Sequence, residues 1–401
     1  MINFDPFVWK SEPPEGIPFK QSQEFKGVKF LGKAAHHWTG DTWYPSWASD
    51  DLLYSPVTDD GKGINSSGYS CNVGFPETED ILNKANTGNG ILKGDDPLNL
   101  EIILLEKCYA DPYPYGGRYP CGSLVHNGIW YYGTYLKSPY GRTNYGGYRY
   151  NWPWLGPLVG FRISKDFGKT WEDCPHTPIN PLFGETGECG YPVKVGKTHF
   201  VDFGKNMEHS PDGKAYLAGQ GSDLKFYPVK NFPHLTWCTG DQIYMIRVTP
   251  TPENINDPKA YEFFAGHDAS GNAVWTNDFT KIRPIMEWQD NLGCVSMTYN
   301  PRLKKYLTTI TNGVTTCGKM HTFILESDNL TGPWKLISYM KDFGEQAYYV
   351  NIPSKFISED GKKMHLFYSG AFARDWNGII INENNPPGSH YGLAIQQIEL
   401  I

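Results

Sequence analysis

Residues 164–171 read Ser-Lys-Asp-Phe-Gly-Lys-Thr-Trp, and this octet says more about the fold than any other stretch of the chain. Its acidic side chain, Asp166, is placed to accept hydrogen bonds from backbone amides of its own turn. Gly168 stands where such a turn needs a positive φ. Trp171 follows at a position from which its indole packs back between neighbouring sheets. The octet therefore predicts a tight β-hairpin with an aromatic anchor.

Three weaker versions of this turn follow at irregular spacing. They are residues 210–214 (Ser-Pro-Asp-Gly-Lys), 327–334 (Ser-Asp-Asn-Leu-Thr-Gly-Pro-Trp) and 358–362 (Ser-Glu-Asp-Gly-Lys). Each lies between two strand-like runs, as the outer hairpins of propeller blades do, and four hairpins of one type are hard to explain by a β-sandwich. The octet fits Ser-x-Asp-x-Gly-x-Thr-Trp and so resembles the Asp-box of sialidase-like β-propellers.

The composition points to the same fold class. Gly 43 and Pro 30 give 73 of 401 residues, about 18%, which is typical of many short strands joined by turns. No segment of helical length shows a sustained 3.6-residue period. We expect an all-β protein forming a single β-propeller domain over residues 1–401. At ~40–60 residues per blade, seven blades are favoured and five or six are the alternatives.

Charge and hydropathy exclude several classes of function. Lys+Arg 36 against Asp+Glu 43 gives a net charge of −7, and no basic cluster suggests a nucleic-acid surface. No stretch approaches the ~20 apolar residues of a membrane helix. We expect a monomer that requires no cofactor, with a structural calcium ion left open. The compartment is open: the cytoplasm for the chain as given, or secretion after removal of a signal peptide.

Eight cysteines are spread along the chain without a Cys-x-x-Cys pair. In a protein of this size the spacing favours buried thiols over a disulfide framework or a zinc site, which tilts weakly toward a reducing compartment. The C-terminal run at 391–401 is expected to pair with N-terminal strands. That pairing would close the ring and remove an exposed sheet edge.

A propeller gathers ligand-binding side chains at its axial mouth, so polar and aromatic residues just before inner strands are candidates. The stretch 36–50 interleaves Trp and Tyr with His and Asp, a composition that suits stacking on sugar rings and bonding to their hydroxyls. Its candidates are His37, Asp41, Trp43 and Tyr44, although each Trp is also explained by packing between blades.

Three further regions supply candidates. Glu208 and His209 are adjacent ahead of a blade turn, and His209 is the best single candidate for a general base. Arg142 and Arg149 lie in the aromatic stretch 135–154, which is expected to cover the mouth and pair with a carboxylate. Scattered strand starts contribute one polar or aromatic group each: His126, Glu188, Trp237, Asn291 and Tyr348.

Residues 40–55, 122–135 and 207–217 resemble propeller enzymes that act on uronate-containing plant and algal glycans. The nearest family in this resemblance is the rhamnosyl-α-1,4-glucuronate lyases, and the ulvan lyases are more distant. The resemblance implies seven blades, an acidic polysaccharide or oligosaccharide as substrate, and β-elimination at a uronic acid. Such a reaction needs cations or amides around the substrate carboxylate and a His or Tyr base. Arg142, His209, Tyr44 and His37 are of the right types.

Two other functions remain open. A glycoside hydrolase on the same scaffold would need two carboxyl groups ~5–9.5 Å apart, and Asp41, Glu188, Glu208 and Asp241 could provide them. A propeller that binds carbohydrate without catalysis would explain the aromatic residues alone.

Overall fold

The computed structural model describes residues 1–37, 40–58, 86–105, 108–109, 118–137, 143–145, 148–150, 155–177, 180–185, 193–223, 238–313, 319–370 and 385–401. Within these ranges the regular structure is β-strand, with four three-residue 3-10 turns and no α-helix. No described residue belongs to a helix able to cross a membrane. The 3-10 turns are Lys205–Met207, Pro258–Ala260, Phe279–Lys281 and Ser354–Phe356.

The strands, numbered in chain order, form five sheets of three to six strands and one separate hairpin. The N-terminal strands are β1 (Ile2–Asn3), β2 (Phe7–Val8), β3 (Lys20–Gln21) and β4 (Val28–His37). The first blade contains β5 (Ser46–Trp47), β6 (Leu53–Thr58), β7 (Asn86–Lys93), β8 (Glu101–Leu104) and β9 (Cys108–Tyr109). The second blade contains β10 (Arg118–His126), β11 (Ile129–Lys137) and β14 (Leu155–Ser164), and the hairpin pairs β12 (Thr143–Tyr145) with β13 (Tyr148–Tyr150).

The remaining three blades complete the ring. The third contains β15 (Thr198–Phe200), β16 (Ala215–Gly221), β17 (Gln242–Val248), β18 (Glu262–His267), β19 (Ala273–Thr276) and β20 (Pro284–Glu287). The fourth contains β21 (Val295–Asn300), β22 (Lys305–Gly313), β23 (Met320–Ser327) and β24 (Lys335–Met340), extended by β3. The fifth contains β25 (Tyr348–Asn351), β26 (Lys363–Ser369) and β27 (Leu393–Leu400), extended by β4, β1 and β2.

The first strands contact each other in order, β5 with β10, β10 with β15, β15 with β21 and β21 with β25, so these strands surround the hub. The chain is therefore the expected single β-propeller, but it has five blades where seven were favoured. The reason is the length of each unit: 401 residues over five blades is about 80 residues per blade. A blade of four to six strands with long connections uses more chain than the ~40–60 residues assumed.

The ring closes by strand pairing, as the sequence predicts. β27 hydrogen-bonds to β26 on one side and to β4 on the other, with Leu393 opposite His37 and Ile395 opposite Ala35. One sheet thus contains both ends of the chain. This pairing satisfies backbone groups that would otherwise form an exposed edge.

Apolar side chains fill the spaces between blades. One cluster joins the first blade to the second through Tyr54, Val125 and Trp130. Another joins the fifth blade to the first through Leu53 and Phe367. The core is therefore a ring of interfaces between sheets.

The octet forms the turn that its sequence predicts. The Asp166 carboxylate accepts the amides of Lys169 (3.1 Å) and Thr170 (2.8 Å) and the Thr170 hydroxyl (2.6 Å). Those hydrogen bonds lower the pKa of Asp166 to about 2. Gly168 has φ 89°, and the Trp171 ring lies 5.2 Å from that of Trp130.

Side chains are described for four cysteines, and none of the four is in a disulfide: Cys121, Cys174, Cys238 and Cys294. Three of these are buried and Cys174 is half-buried. The prediction of buried thiols is confirmed for Cys121, Cys238 and Cys294. Cys71, Cys108, Cys189 and Cys317 lie outside the residues whose side chains are described.

Closure of the ring by β4 and β27 should depend on Phe30, whose side chain in β4 is fully buried. Its ring stacks on Phe7 at 5.1 Å and lies 6.0 Å from that of Phe343. Phe30→Ala should lower the free energy of unfolding by about 3–5 kcal/mol, because it opens a cavity between the closing strands and the rest of the fifth blade. Denaturant unfolding measures this. Val274→Ala, at a side chain 40% exposed, should change it by about 0.5 kcal/mol or less, and equal losses in both variants would contradict the assignment.

Candidate functional site

The first strands run in the same direction around the hub, as the parallel bridge between residues 202 and 298 shows for two neighbours. They begin at one end of the ring, the upper mouth, marked by Asp41 and Tyr348. They finish at the lower mouth, marked by Asp202 and Ser354, where the Ser354 hydroxyl donates to the Asp202 carboxylate at 2.6 Å. Six residues of strand span ~20 Å, so side chains at the two mouths do not act on one small ligand.

Asp41 is the centre of the upper mouth. Its Oδ1 accepts hydrogen bonds from the hydroxyls of Thr42 (2.5 Å) and Thr58. Its Oδ2 accepts from the phenols of Tyr348 and Tyr391 (3.0 Å). These donors come from the first blade, from the start of β25 and from the segment before β27, so folding of the complete ring assembles the group.

The donors leave room for one more partner. An ionised carboxylate accepts at about four lone-pair positions. The hydroxyls of Thr42 and Thr58 are also 2.8 Å from each other, and each has a single hydrogen. When one threonine donates to the other, only one donates to Asp41. Oδ1 then retains a lone pair for a water molecule or a substrate hydroxyl.

Backbone strain is concentrated beside this carboxylate. Thr42 has φ 67° and Tyr349 has φ 55°, in the left-handed region that β-branched and bulky residues rarely adopt. A regular strand would send neighbouring side chains to opposite faces. Here Asp41 and Thr42 meet each other, and Tyr348 and Tyr349 both turn inward. Strain of ~1–3 kcal/mol per residue persists where the surroundings enforce it, commonly at functional sites.

The hub beneath Asp41 is filled by buried titratable side chains. The Tyr44 ring of the first blade lies 3.9 Å from that of His199 in the third. Lys197 Nζ lies 4.1 Å from the Tyr349 ring of the fifth blade and 2.8 Å from Cys294 Sγ of the fourth. Burial raises the pKa of Tyr44 and Tyr349 well above the usual value and lowers that of His199 well below it. The hub is therefore a plug and not an open channel.

Glu185 supplies a second carboxyl group on the upper side of the ring. Its oxygens accept the amides of Lys194 (2.9 Å) and Val195 (2.9 Å), residues that lead into β15. The residue is partly exposed, and burial of its carboxyl group raises the pKa of Glu185 even though these amide bonds act in the opposite direction. A carboxyl group in such a setting retains its proton to higher pH than an exposed one.

Asp241 is a buried structural carboxylate at the same end. It is fully buried, and it accepts the Ser222 hydroxyl and the Asp290 amide (2.9 Å). Its own carbonyl accepts the Trp288 amide. These bonds tie β16, β17 and the segment after β20 together, which makes Asp241 a support of the third blade.

Several predicted residues are brought together at the upper mouth. Tyr348 bonds directly to Asp41. His37 ends β4 opposite Leu393, and burial lowers the pKa of His37. Asn291 accepts the Asn312 side-chain amide at 2.8 Å just before β21.

Tyr44 and Trp43 are placed differently from expectation. Tyr44 lies inside the hub and does not reach the mouth. Trp43 is fully buried between the fifth and first blades, and its indole N–H donates to the carbonyl of Gly40 (3.2 Å). The prediction that Trp43 stacks on a sugar is therefore corrected, because packing between the blades leaves neither face of its ring exposed.

His126, Glu208 and His209 lie at the lower mouth. His126 Nδ1 is 3.2 Å from the Asn206 carbonyl. His209 Nε2 is 3.8 Å from Glu208 Oε1, and both side chains are exposed. The structure thus separates His209 and Glu208 from Asp41 by the length of a first strand.

The remaining predicted residues, Arg142, Glu188 and Trp237, lie outside the described residues. For Arg149 only the backbone, in β13, is described. The sequence analysis missed Glu185, Lys197, His199 and Tyr391. The polar run 184–188 was a usable signal for Glu185, whereas a single Lys or His in a strand gives none.

The described residues do not fit a metal ion. They contain no group of three or more His, Cys, Asp or Glu side chains arranged to hold one. The side chains in the hub include the Lys197 amine, which brings no negative charge to a bound cation. Calcium prefers six to eight oxygen ligands, which the thiol, phenol and imidazole lining does not supply.

No family model matches the chain, and no curated protein matches its sequence. Solved structures with a similar course of the chain include a β-xylosidase (16% identity, 92% of this chain and 94% of that one, TM-score 0.48). Another is a putative hydrolase from Bacteroides ovatus (13% identity, 97% of this chain and 94% of that one, TM-score 0.48). A third is an α-L-arabinofuranosidase from Podospora anserina in complex with cellotriose (10% identity, 98% of this chain and 96% of that one, TM-score 0.43). Similarity of this extent assigns neither an activity nor a substrate to this chain.

Proposed function

We propose that the protein is a glycoside hydrolase whose substrate binds at the upper mouth. The observation that carries this proposal is the Asp41 carboxylate, held by hydroxyl groups from three parts of the ring beside a left-handed Thr42. Such an arrangement fixes a carboxylate in one orientation before substrate arrives, and preorganisation of this kind lowers the barrier of a reaction.

The carboxyl groups of Asp41 and Glu185 would act as general base and general acid, respectively. Asp41 would accept a proton from the attacking water through the lone pair left open on Oδ1. Glu185, whose pKa is raised by burial, would deliver a proton to the departing sugar oxygen. Hydrolysis of a glycosidic bond needs this pairing of an ionised and a protonated carboxyl group.

Elimination at a uronic acid has less support in the described residues. That reaction needs an accessible cation beside the substrate carboxylate. Lys197 is fully buried beneath the mouth, and His209 lies at the lower mouth. The side chains of Arg142 and Arg149 lie outside the described residues, so an acidic substrate remains an outcome of the following test.

Product analysis should distinguish the reactions. The protein is incubated with aryl glycosides, a neutral oligosaccharide, gum arabic and ulvan. New reducing ends without ultraviolet absorbance of a conjugated double bond are expected, because hydrolysis creates no unsaturated sugar. Appearance of that absorbance would contradict hydrolysis and indicate elimination. Absence of both signals would indicate that the protein binds carbohydrate without catalysis.

Asp41→Asn should lower kcat at least ~100-fold, because an amide cannot accept the proton of the attacking water. Turnover of the best substrate from the panel measures this. The matched control is Asp202→Asn at the lower mouth, where the carboxylate also accepts a Ser354 hydroxyl. That variant should lose thermal stability and keep the turnover of its folded fraction. Equal activity losses in both variants would remove Asp41 from the reaction.

Glu185→Gln tests the acid. Because the pKa of Glu185 is raised, wild-type kcat/KM should fall as pH rises through that pKa, when the proton is lost. The variant should lack this alkaline limb. It should also lose ~100-fold in kcat on unactivated glycosides and much less on dinitrophenyl glycosides, whose leaving group needs no proton. Glu172→Gln, at an exposed surface ion pair with Lys165, should keep the wild-type profile, and an unchanged profile for Glu185→Gln would exclude it as the acid.

A further inference from the structure

Lys197 is an amine in a place where amines are rarely found. Its side chain is fully buried in the hub, and the described residues give it no ion pair with a carboxylate. Its nearest polar contact is Cys294 Sγ, 2.8 Å from Nζ, which is closer than van der Waals contact between nitrogen and sulfur. The other face of the ammonium group meets the Tyr349 ring at 4.1 Å.

Burial changes the protonation of the Lys197 amine. Desolvation lowers the pKa of Lys197 and so favours its neutral, nucleophilic form. The 2.8 Å contact therefore places a nucleophilic amine directly against the Cys294 sulfur.

We propose that Lys197 and Cys294 form an oxidative cross-link in which one oxygen atom joins Nζ to Sγ. The inference is independent of the activity proposed above. A single-atom bridge suits the observed separation of the two atoms, because it requires little movement of either strand. A direct nitrogen–sulfur bond would require them to approach further.

The chemistry balances with a peroxide as the oxidant. The Cys294 thiol loses its proton as Sγ attacks one peroxide oxygen, the O–O bond breaks, and a sulfenic acid and water result. Nζ attacks a second peroxide to give a hydroxylamine and water. The hydroxylamine oxygen then attacks the sulfenic sulfur, and the sulfenic oxygen leaves as a third water. The two side chains together gain one oxygen and lose two hydrogens, and thiols reverse the link by reducing it.

The lower mouth is the side from which a small oxidant would approach the plug. An open cleft there is lined by Ser123, Asp202 and Asn351 and extends to Tyr44 and His199. His199 is two residues from Lys197 in the chain, and its Nε2 has no hydrogen-bond partner among the described residues. A peroxide molecule can hydrogen-bond to such a nitrogen. The cleft thus leads toward the base of the plug.

The link would connect the residue before β21 of the fourth blade to the residue before β15 of the third, and these two residues are 97 apart in sequence. Closing a loop of this length restricts the unfolded chain. The cross-link should therefore raise the unfolding temperature of the ring by a few degrees. It would also fix the amine on which the Tyr349 ring rests.

The test uses the full chain, purified with a reductant and then exposed to hydrogen peroxide. Intact mass should show the gain of one oxygen with loss of two hydrogens. Peptide mapping should find the peptides of Lys197 and Cys294 joined, and dithiothreitol should separate them. A gain of oxygen on Cys294 alone, loss of two hydrogens without oxygen, or unchanged peptides would each overturn the proposal.

Matched variants identify the pair. Cys294→Ser and Lys197→Met should both abolish the joined peptide and the peroxide-dependent rise in unfolding temperature. Cys121→Ser is the control, because its thiol is equally buried in the hub but faces the Thr198 hydroxyl at 3.9 Å. It should keep the cross-link. Loss of the cross-link in Cys121→Ser but not in Cys294→Ser would show that Cys121 supplies the sulfur and would overturn the proposal. If a variant fails to fold, the peptide map of the wild-type protein decides the question.

Discussion

The pairing of β27 with β4 is the constraint on which the rest of the structure depends. A sheet edge left open at this point would expose unpaired amides and carbonyls, and the fifth and first blades would lose their shared apolar contacts. The same pairing carries Tyr391, just ahead of β27, to the Asp41 carboxylate. Stability of the ring and assembly of the candidate site are thus consequences of one set of backbone hydrogen bonds.

Much of the fold could be predicted from the sequence because its signals are local. An Asp, a Gly and a Trp at fixed spacing determine the turn at 164–171 whatever surrounds it. The number of blades is not local, since it depends on how much chain each connection uses. Another local signal is Asn127-Gly128, which at φ 51° and 78° forms the turn between β10 and β11. Asn-Gly is a common hairpin turn for this reason.

The candidate site was predictable only in part. Asp41 and Tyr348 were identified because each precedes an inner strand, and the structure joins them by a hydrogen bond. Their partner Tyr391 could not be found this way, because its role depends on closure of the ring. Lys197 gave no signal, since a Lys in a strand ordinarily points to solvent. The positive φ of Tyr349, which turns two successive tyrosines inward, is invisible in a pattern that assumes alternation.

The small number of blades determines where chemistry is possible in this molecule. Around five blades the first strands approach so closely that Tyr44 meets His199 and Lys197 meets Tyr349 across the axis. A sugar cannot enter a hub filled in this way, so the proposed substrate site lies above it, at Asp41 and the phenols that donate to it. The buried groups then act as the floor of the site. Their polarity has a structural cost that an apolar plug would avoid. The proposed cross-link between Lys197 and Cys294 gives a physical reason for retaining these two polar groups, because it would join two blades covalently.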